Sequence, residues 1–291
     1  MLEFFDALAR HNFLQYALVS GLLASVACGV VGTYVVARRI SYIAAGIAHS
    51  VLGGMGVAHY LNVVHDWAWL QPLHGAVVSG LLAAVVIGLV SLRARQREDT
   101  VIGAIWAVGM AVGILFITAT PGYQENLMNY LIGNILMVSG GDLWLLAALD
   151  AVVLVIGLLF HRQIAAVCFD EEFARVRGLA VEFYFLLLLC LTALTVVLLV
   201  SVVGIILVIA LLTIPVAVAG KFTRTMWQTM LVATVVSAVF TTLGLAISYA
   251  PNWPAGATII LLAGAVYLLV LLPVSRRRRN GPKARPTRTK L

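Results

Sequence analysis

Two ionisable side chains stand in the middle of long apolar runs. His49 lies in the run 41–61, and Asp150 lies midway along 142–161. An imidazole and a carboxylate are both ligands for divalent transition metals. Buried in hydrocarbon, either is costly, and such groups mark ion or proton pathways by default. A helix rises about 1.5 Å per residue, so His49 sits about 12 Å along from Ser41. That is near the middle of a hydrocarbon layer roughly 30 Å thick. The plainer alternatives are a neutral histidine hydrogen-bonded to a neighbouring helix, and an aspartic acid bonded to a backbone carbonyl.

A third constellation lies in the polar stretch 162–182. Glu172-Phe-Ala174-Arg-Val-Arg-Gly178 has the form E-x-A-x-x-x-G. Asp170, Glu171 and Glu172 are placed to open a short helix, where acids complement the helix dipole, and Gly178 is placed to end it. The spacing predicts a short amphipathic helix outside the apolar runs, suited to dock in a groove of a partner. A solvated loop is the simpler account.

The elements that must hold these residues follow from composition. Of 291 residues, 62% are hydrophobic and 11% charged, and the mean hydropathy is +1.04. Soluble domains carry roughly 25% charged residues, so this chain has too little polar surface to wet a globule. Its solvent is lipid. An all-helical transmembrane bundle follows, because open sheet edges cannot be satisfied in a bilayer. Apolar runs fall at 13–37, 41–61, 73–93, 100–119, 142–161, 181–201, 203–220, 226–249 and 255–273. These predict eight or nine membrane segments, with Gly204 and Pro215 as candidate break, kink or gate positions in 181–220. Residues 1–275 form the transmembrane domain, and 276–291 form a basic tail expected to be disordered.

Charge orients the bundle. Arg38 and Arg39, Arg93, Arg95 and Arg97, Arg162, Arg175 and Arg177, Lys221 and Arg224, and the arginine tail follow alternate runs. The other loops hold His65, Asp66, Glu125, Asp142 and Asn252. The positive-inside rule places the N-terminus outside and the C-terminus in the cytoplasm. The parity requires 181–220 to cross twice. Trp67, Trp69 and Trp253 suit the membrane interfaces, and Trp106 the core. The net charge of +7 is concentrated beside an apolar segment, which suits an anionic membrane face and not nucleic acid. Cys28, Cys168 and Cys190 have no metal or disulfide spacing. No cleaved signal peptide is expected. The stretch from Pro121 to Gly141 is expected to lie on the outer face or dip into it.

Several blocks resemble the permease family of zinc and manganese ABC importers. They are Arg38-Arg39-Ile-Ser41-Tyr42-Ile-Ala-Ala45-Gly46-Ile-Ala-His49-Ser50-Val-Leu-Gly53, the stretch Val203 to Ala219, and Ser248-Tyr249-Ala-Pro-Asn252-Trp-Pro254-Ala-Gly256-Ala257. Tyr130 to Ser139 is similar as well. The blocks run from the first helix to the last. The resemblance implies a fold like that of the cobalamin importer permeases, the type II importers. It implies two permease copies, a dimer of cytosolic ABC ATPase subunits docked on the 162–182 segment, and an extracytoplasmic metal-binding protein. The location implied is a bacterial inner membrane. No catalytic site and no permanently bound cofactor are implied. The cargo is a divalent metal, with zinc, manganese and iron as candidates and the first two foremost.

The family's metal motif in the second helix is Asp-x-x-x-His, with an i,i+4 spacing that puts both ligands on one face. Here the histidine is His49, and Ala45 stands at the aspartate position. Asn252 stands where an aspartate is common. The carboxylate is therefore missing or supplied elsewhere, with Asp150 the candidate. A permease for a metal chelate, such as a siderophore or cobalamin, is the alternative this departure favours. An ion-coupled secondary transporter would need more intramembrane acids and inverted repeats. An intramembrane protease lacks support, since neither His-Glu-x-x-His nor Gly-x-Ser-x-Gly occurs.

Overall fold

The computed structural model describes residues 10–93, 98–121, 140–251 and 253–279, with positions 4, 7, 8 and 138. Among the described residues the chain is helical and contains no strand. The helices are α1 (Asn12–Arg38), α2 (Ser41–Val64), α3 (Pro72–Arg93), α4 (Glu98–Ala119), α5 (Gly140–Leu159), α6 (His161–Phe169), α7 (Glu171–Val176), α8 (Val181–Val203), α9 (Ile205–Ala219), α10 (Met226–Tyr249) and α11 (Ala255–Arg279). Each of the nine apolar runs forms a helix. Seven of them are long and apolar enough to cross a membrane, and the bent pair α5–α6 makes an eighth. The short α9, with 15 residues, spans only about 22 Å.

Packing divides the bundle into two groups bridged by α8. In one group, α2 lies between α3 and α4. In the other, α1 packs on α10, α9 and α5. Helix α8 touches both, through α3 and α2 on one side and α1 and α5 on the other. Lipid tails are as apolar as leucine, so close packing and not hydrophobic patterning joins such helices. The α2–α4 contact shows this. A Cβ built on Gly53 would stand 2.7 Å from the Gly109 carbonyl oxygen, and one built on Gly109 would stand 2.6 Å from Ser50 Cα.

The path of 181–220 answers the parity question. Gly88 of α3 faces Leu186 and Leu189, while Gly80 faces Val197, so α8 runs antiparallel to α3. Its first turns lie at the end of α1, where the Arg38 guanidinium sits 5.4 Å over the Phe185 ring. At the far end Gly204 takes φ 80° and ψ 163°, a conformation reserved in practice for glycine. Helix α9 then returns, and Val216 and Ala219 pack beside Val36. The segment therefore leaves one end of the bundle and comes back to it. Pro215 lies buried inside α9, where its ring nitrogen donates no backbone hydrogen bond.

The loops sort by charge as this path requires. Lys221 and Arg224 line a cavity with Val36, Ala37 and Phe169, at the end that holds Arg38, Arg162 and Arg175. The opposite end carries His65, Asp66, Trp67, Trp69 and Tyr249. Trp67 and Trp69 stack there with centroids 6.2 Å apart.

Two local expectations change in detail. The run 142–161 does not continue straight to its end: α5 stops at Leu159 and the chain bends by 69° into α6. The bend falls where the sequence turns from apolar to His161-Arg162-Gln163. The 162–182 segment accordingly holds two short helices, α6 and α7, in place of one. The middle of the expected outer-face segment (122–137), Asn252 and residues 280–291 of the tail lie outside the described residues, while 276–279 of that tail continue α11 as helix.

Candidate functional site

Helix α2 begins at Ser41 and carries His49 two turns on. The ring lies flat against the indole of Trp106 on α4, with centroids 4.2 Å apart and planes 9° from parallel. Trp106 Nε1–H donates to Met110 Sδ at 3.2 Å, one turn further along α4. Close approach of the two helices at Gly53 and Gly109 brings α4 near enough for this stack. His49 Nδ1 is buried and has no hydrogen-bond partner. A stacked neighbour fixes the plane of an imidazole but leaves its in-plane lone pair available to a metal. One turn earlier the buried Ala45 offers no donor.

Asp150 lies on α5 and is 4% exposed. Its Oδ1 is buried without a hydrogen-bond partner, and Cys28 of α1 is its neighbour. Helix α5 packs on α1 and α8, whereas α2 packs chiefly on α4 and α3. No hydrogen bond, ion pair or ring contact joins Asp150 to His49 among the described residues. Nor do the described residues hold any group of three or more His, Cys, Asp or Glu side chains placed to hold a metal.

The polar segment builds the helix that its sequence predicts. Asp170 caps α7, its Oδ1 accepting from Phe173 N–H at 2.9 Å. Glu171 and Glu172 occupy the first turn. Gly178 ends the motif at φ 79° with no atom near its absent side chain, and the N–H of Leu179 reaches back to the Ala174 carbonyl at 3.1 Å. Ala174 is fully buried against the bundle, and a larger side chain there would push α7 off its seat. Phe169, Phe173 and Val176 are 72%, 56% and 87% exposed. Three exposed apolar side chains at the charged end of a membrane bundle form a surface that a protein partner can bury.

Glu171 differs from its neighbours. It turns inward and forms an ion pair with Arg38 at the end of α1. Further along α1, Tyr34 Oη meets both the Gly157 carbonyl oxygen at 2.9 Å and His161 Nδ1 at 2.7 Å. His161 in turn packs against Trp227 at the base of α10, with centroids 4.8 Å apart.

Residues 10–273 match the model of the ABC 3 transport family. The chain belongs to that family. A probable metal transport system membrane protein of Chlamydia trachomatis is 38% identical, with 88% of this chain and 87% of that one aligned. A manganese transport system membrane protein of Halalkalibacterium halodurans is 32% identical over 91% of this chain and 89% of its own length. Among solved structures, PsaBC from Streptococcus pneumoniae in complex with Fab superposes with a TM-score of 0.83 at 32% identity, covering 92% of this chain and 94% of that one. Membership makes the bundle a transport subunit, which agrees with the resemblance read from its motifs.

Within this ABC 3 chain, sequence reasoning reached His49 and the α7 motif but not their partners. In the sequence Trp106 reads as a core aromatic, and Arg38 as an orienting charge at the head of a family-like block. His161, at the end of the run 142–161, holds Tyr34, a contact its position in the sequence does not foretell.

Proposed function

We propose that this chain is the membrane-spanning permease of an ATP-driven importer for a divalent transition metal. The ion arrives from an extracytoplasmic binding protein and leaves into the cytoplasm as the pathway opens alternately to each side. Hydrolysis belongs to separate cytosolic ATPase subunits, and two copies of the permease pair with two of them. The metal is cargo, with manganese and zinc the first candidates. The arginine-rich end faces the cytoplasm and the N-terminus faces outward in a bacterial inner membrane, as the positive-inside rule requires.

His49 carries the metal reading. It is a metal-ligating ring well inside the span, held in one plane by Trp106 with Nδ1 unpaired, in a chain whose relatives bear metal-transport names. The exposed surface at the α6–α7 junction supports ATPase docking, with Phe169 at the end of α6 and Phe173 and Val176 of α7 as the contact, and Asp170, Glu172, Ala174 and Gly178 shaping α7. Gly204 and Pro215 give α9 a turn that only glycine adopts readily and an interrupted ladder, which suits a gate.

The test is uptake of radioactive manganese(II) and zinc(II) into proteoliposomes holding the permease with its ATPase and binding protein. ATP-dependent uptake by wild type, lost in His49→Ala while hydrolysis persists, is the expected result. Hydrolysis without movement of any free divalent ion would sink the reading. Because Ala45 supplies no carboxylate, chelated metals would then be the cargo to try.

A further inference from the structure

The α6–α7 segment meets the bundle through α1, α8 and α5, and the directional ties run mainly to one place. Glu171 pairs with Arg38. His161 Nδ1 and Tyr34 Oη are 2.7 Å apart, and Tyr34 Oη also reaches Gly157 in the last turn before the bend. Cys168 Sγ approaches the Tyr34 carbonyl at 3.9 Å. Glu171, His161 and Cys168 thus tie α6–α7 to the last turns of α1. The tie to α8, Arg175 with Glu182 at 3.1 Å, has side chains 65% and 58% exposed and is weakened by solvent and salt. By contrast Tyr34 is fully buried, and the Arg38 side chain is 23% exposed.

Apolar packing between helices resists separation but permits sliding. Hydrogen bonds and ion pairs at fixed geometry resist both. Helix α1 is also the element that packs on α10, α9 and α5, so a displacement handed to its end reaches most of one half of the bundle. We propose that Tyr34 and Arg38 are the positioning residues through which movement of the α6–α7 segment enters the transmembrane helices. The inference rests on the reading of α7 as the ATPase dock. It goes beyond that reading by naming the route from the dock to the pathway.

The experiment measures manganese(II) uptake and ATP hydrolysis in the same proteoliposomes, with the complete complex of permease, ATPase and binding protein. Arg38→Gln and Tyr34→Phe should retain the ATPase subunit in wild-type ratio and still hydrolyse ATP. Metal moved per ATP should fall about fivefold or more, the low end of coupling between linked sites. Tyr34→Phe removes one oxygen and leaves the ring packed, which guards against a folding defect. Arg38→Glu combined with Glu171→Arg should recover part of the ratio lost in Arg38→Glu alone. An unchanged metal-to-ATP ratio in both single variants overturns the proposal. Loss of the ATPase subunit from the Arg38→Gln complex also overturns it, because Arg38 would then belong to the dock itself. Phe173→Asp separates the two levels: if this complex keeps its ATPase subunit, the docking reading has failed independently of Arg38.

Discussion

The imidazole of His49 and the indole of Trp106 lie in parallel contact between α2 and α4, with centroids 4.2 Å apart. The stack comes from two helices brought close by glycine, and it sets the direction of the histidine's in-plane nitrogens. Aromatic pairs of this type contribute about 0.5–1.5 kcal/mol beyond burial. Trp106→Leu should therefore lower metal uptake about two- to tenfold, with normal amounts of protein in the membrane. Trp106→Phe, which keeps a ring to stack on, should fall between that variant and wild type. Equal uptake by all three would separate Trp106 from the transport step.

The α2–α4 approach gives a prediction on stability. A methyl group on Gly109 meets Ser50 Cα at 2.6 Å, which is backbone and cannot swing aside. Overpacking of this kind costs about 1–3 kcal/mol. On the same helix a methyl group on Gly103 finds only Tyr42 Oη, at 3.8 Å. Gly109→Ala should melt lower than wild type in detergent, and Gly103→Ala should match wild type or exceed it. Equal melting of the two variants would mean that the helices can separate without cost.

Much of this arrangement could be read from the residues, and what could not has a common cause. The run 226–249 became α10 with the same bounds, because a span needs about 20 apolar residues and little else. The return of 181–220 to the end it left agrees with the count of arginines. Asp170 and Gly178 marked the ends of α7 by their capping chemistry. The facing of Trp106 toward His49, and of Tyr34 toward His161, could not be read. In a soluble helix the polar side faces water and so identifies the packed side. In lipid both sides are apolar, so Val108, which is 62% exposed, and Ile102, which is 3% exposed, look alike in sequence although they share a helix. The missing carboxylate at Ala45 was legible as an absence, but nothing in the sequence told which helix Asp150 would face.

Gly204 supplies a third prediction. Its φ of 80° with ψ 163° is a backbone shape that costs other residues about 1–3 kcal/mol. Gly204→Ala should lower the melting temperature, while Gly264→Ala, with no atom within 4 Å of the added methyl, should not. If the turn also moves during transport, Gly204→Ala should slow uptake at temperatures well below its melting point. A variant with wild-type melting and wild-type uptake would show that the α8–α9 turn adopts another shape in the working protein.

Asp150 poses the sharpest choice between stability and function. Its carboxyl group is buried between α5 and α1, and Oδ1 has no hydrogen-bond partner. Leaving such a group unsatisfied costs about 1–3 kcal/mol. Leucine has the same branched skeleton, with methyl groups where the carboxyl oxygens stand, and it removes the unpaired Oδ1, so Asp150→Leu should raise the melting temperature. A residue that costs stability is retained when activity depends on it, and an ionisable group within a span is a functional candidate by default. Metal uptake by Asp150→Leu should accordingly fall although the protein is more stable. Asp150→Asn, which keeps a polar side chain of the same shape, tells whether the acid itself is needed. Wild-type uptake in both variants, alongside the higher melting temperature of Asp150→Leu, would make Asp150 a packing residue and leave His49 without a carboxylate from α5.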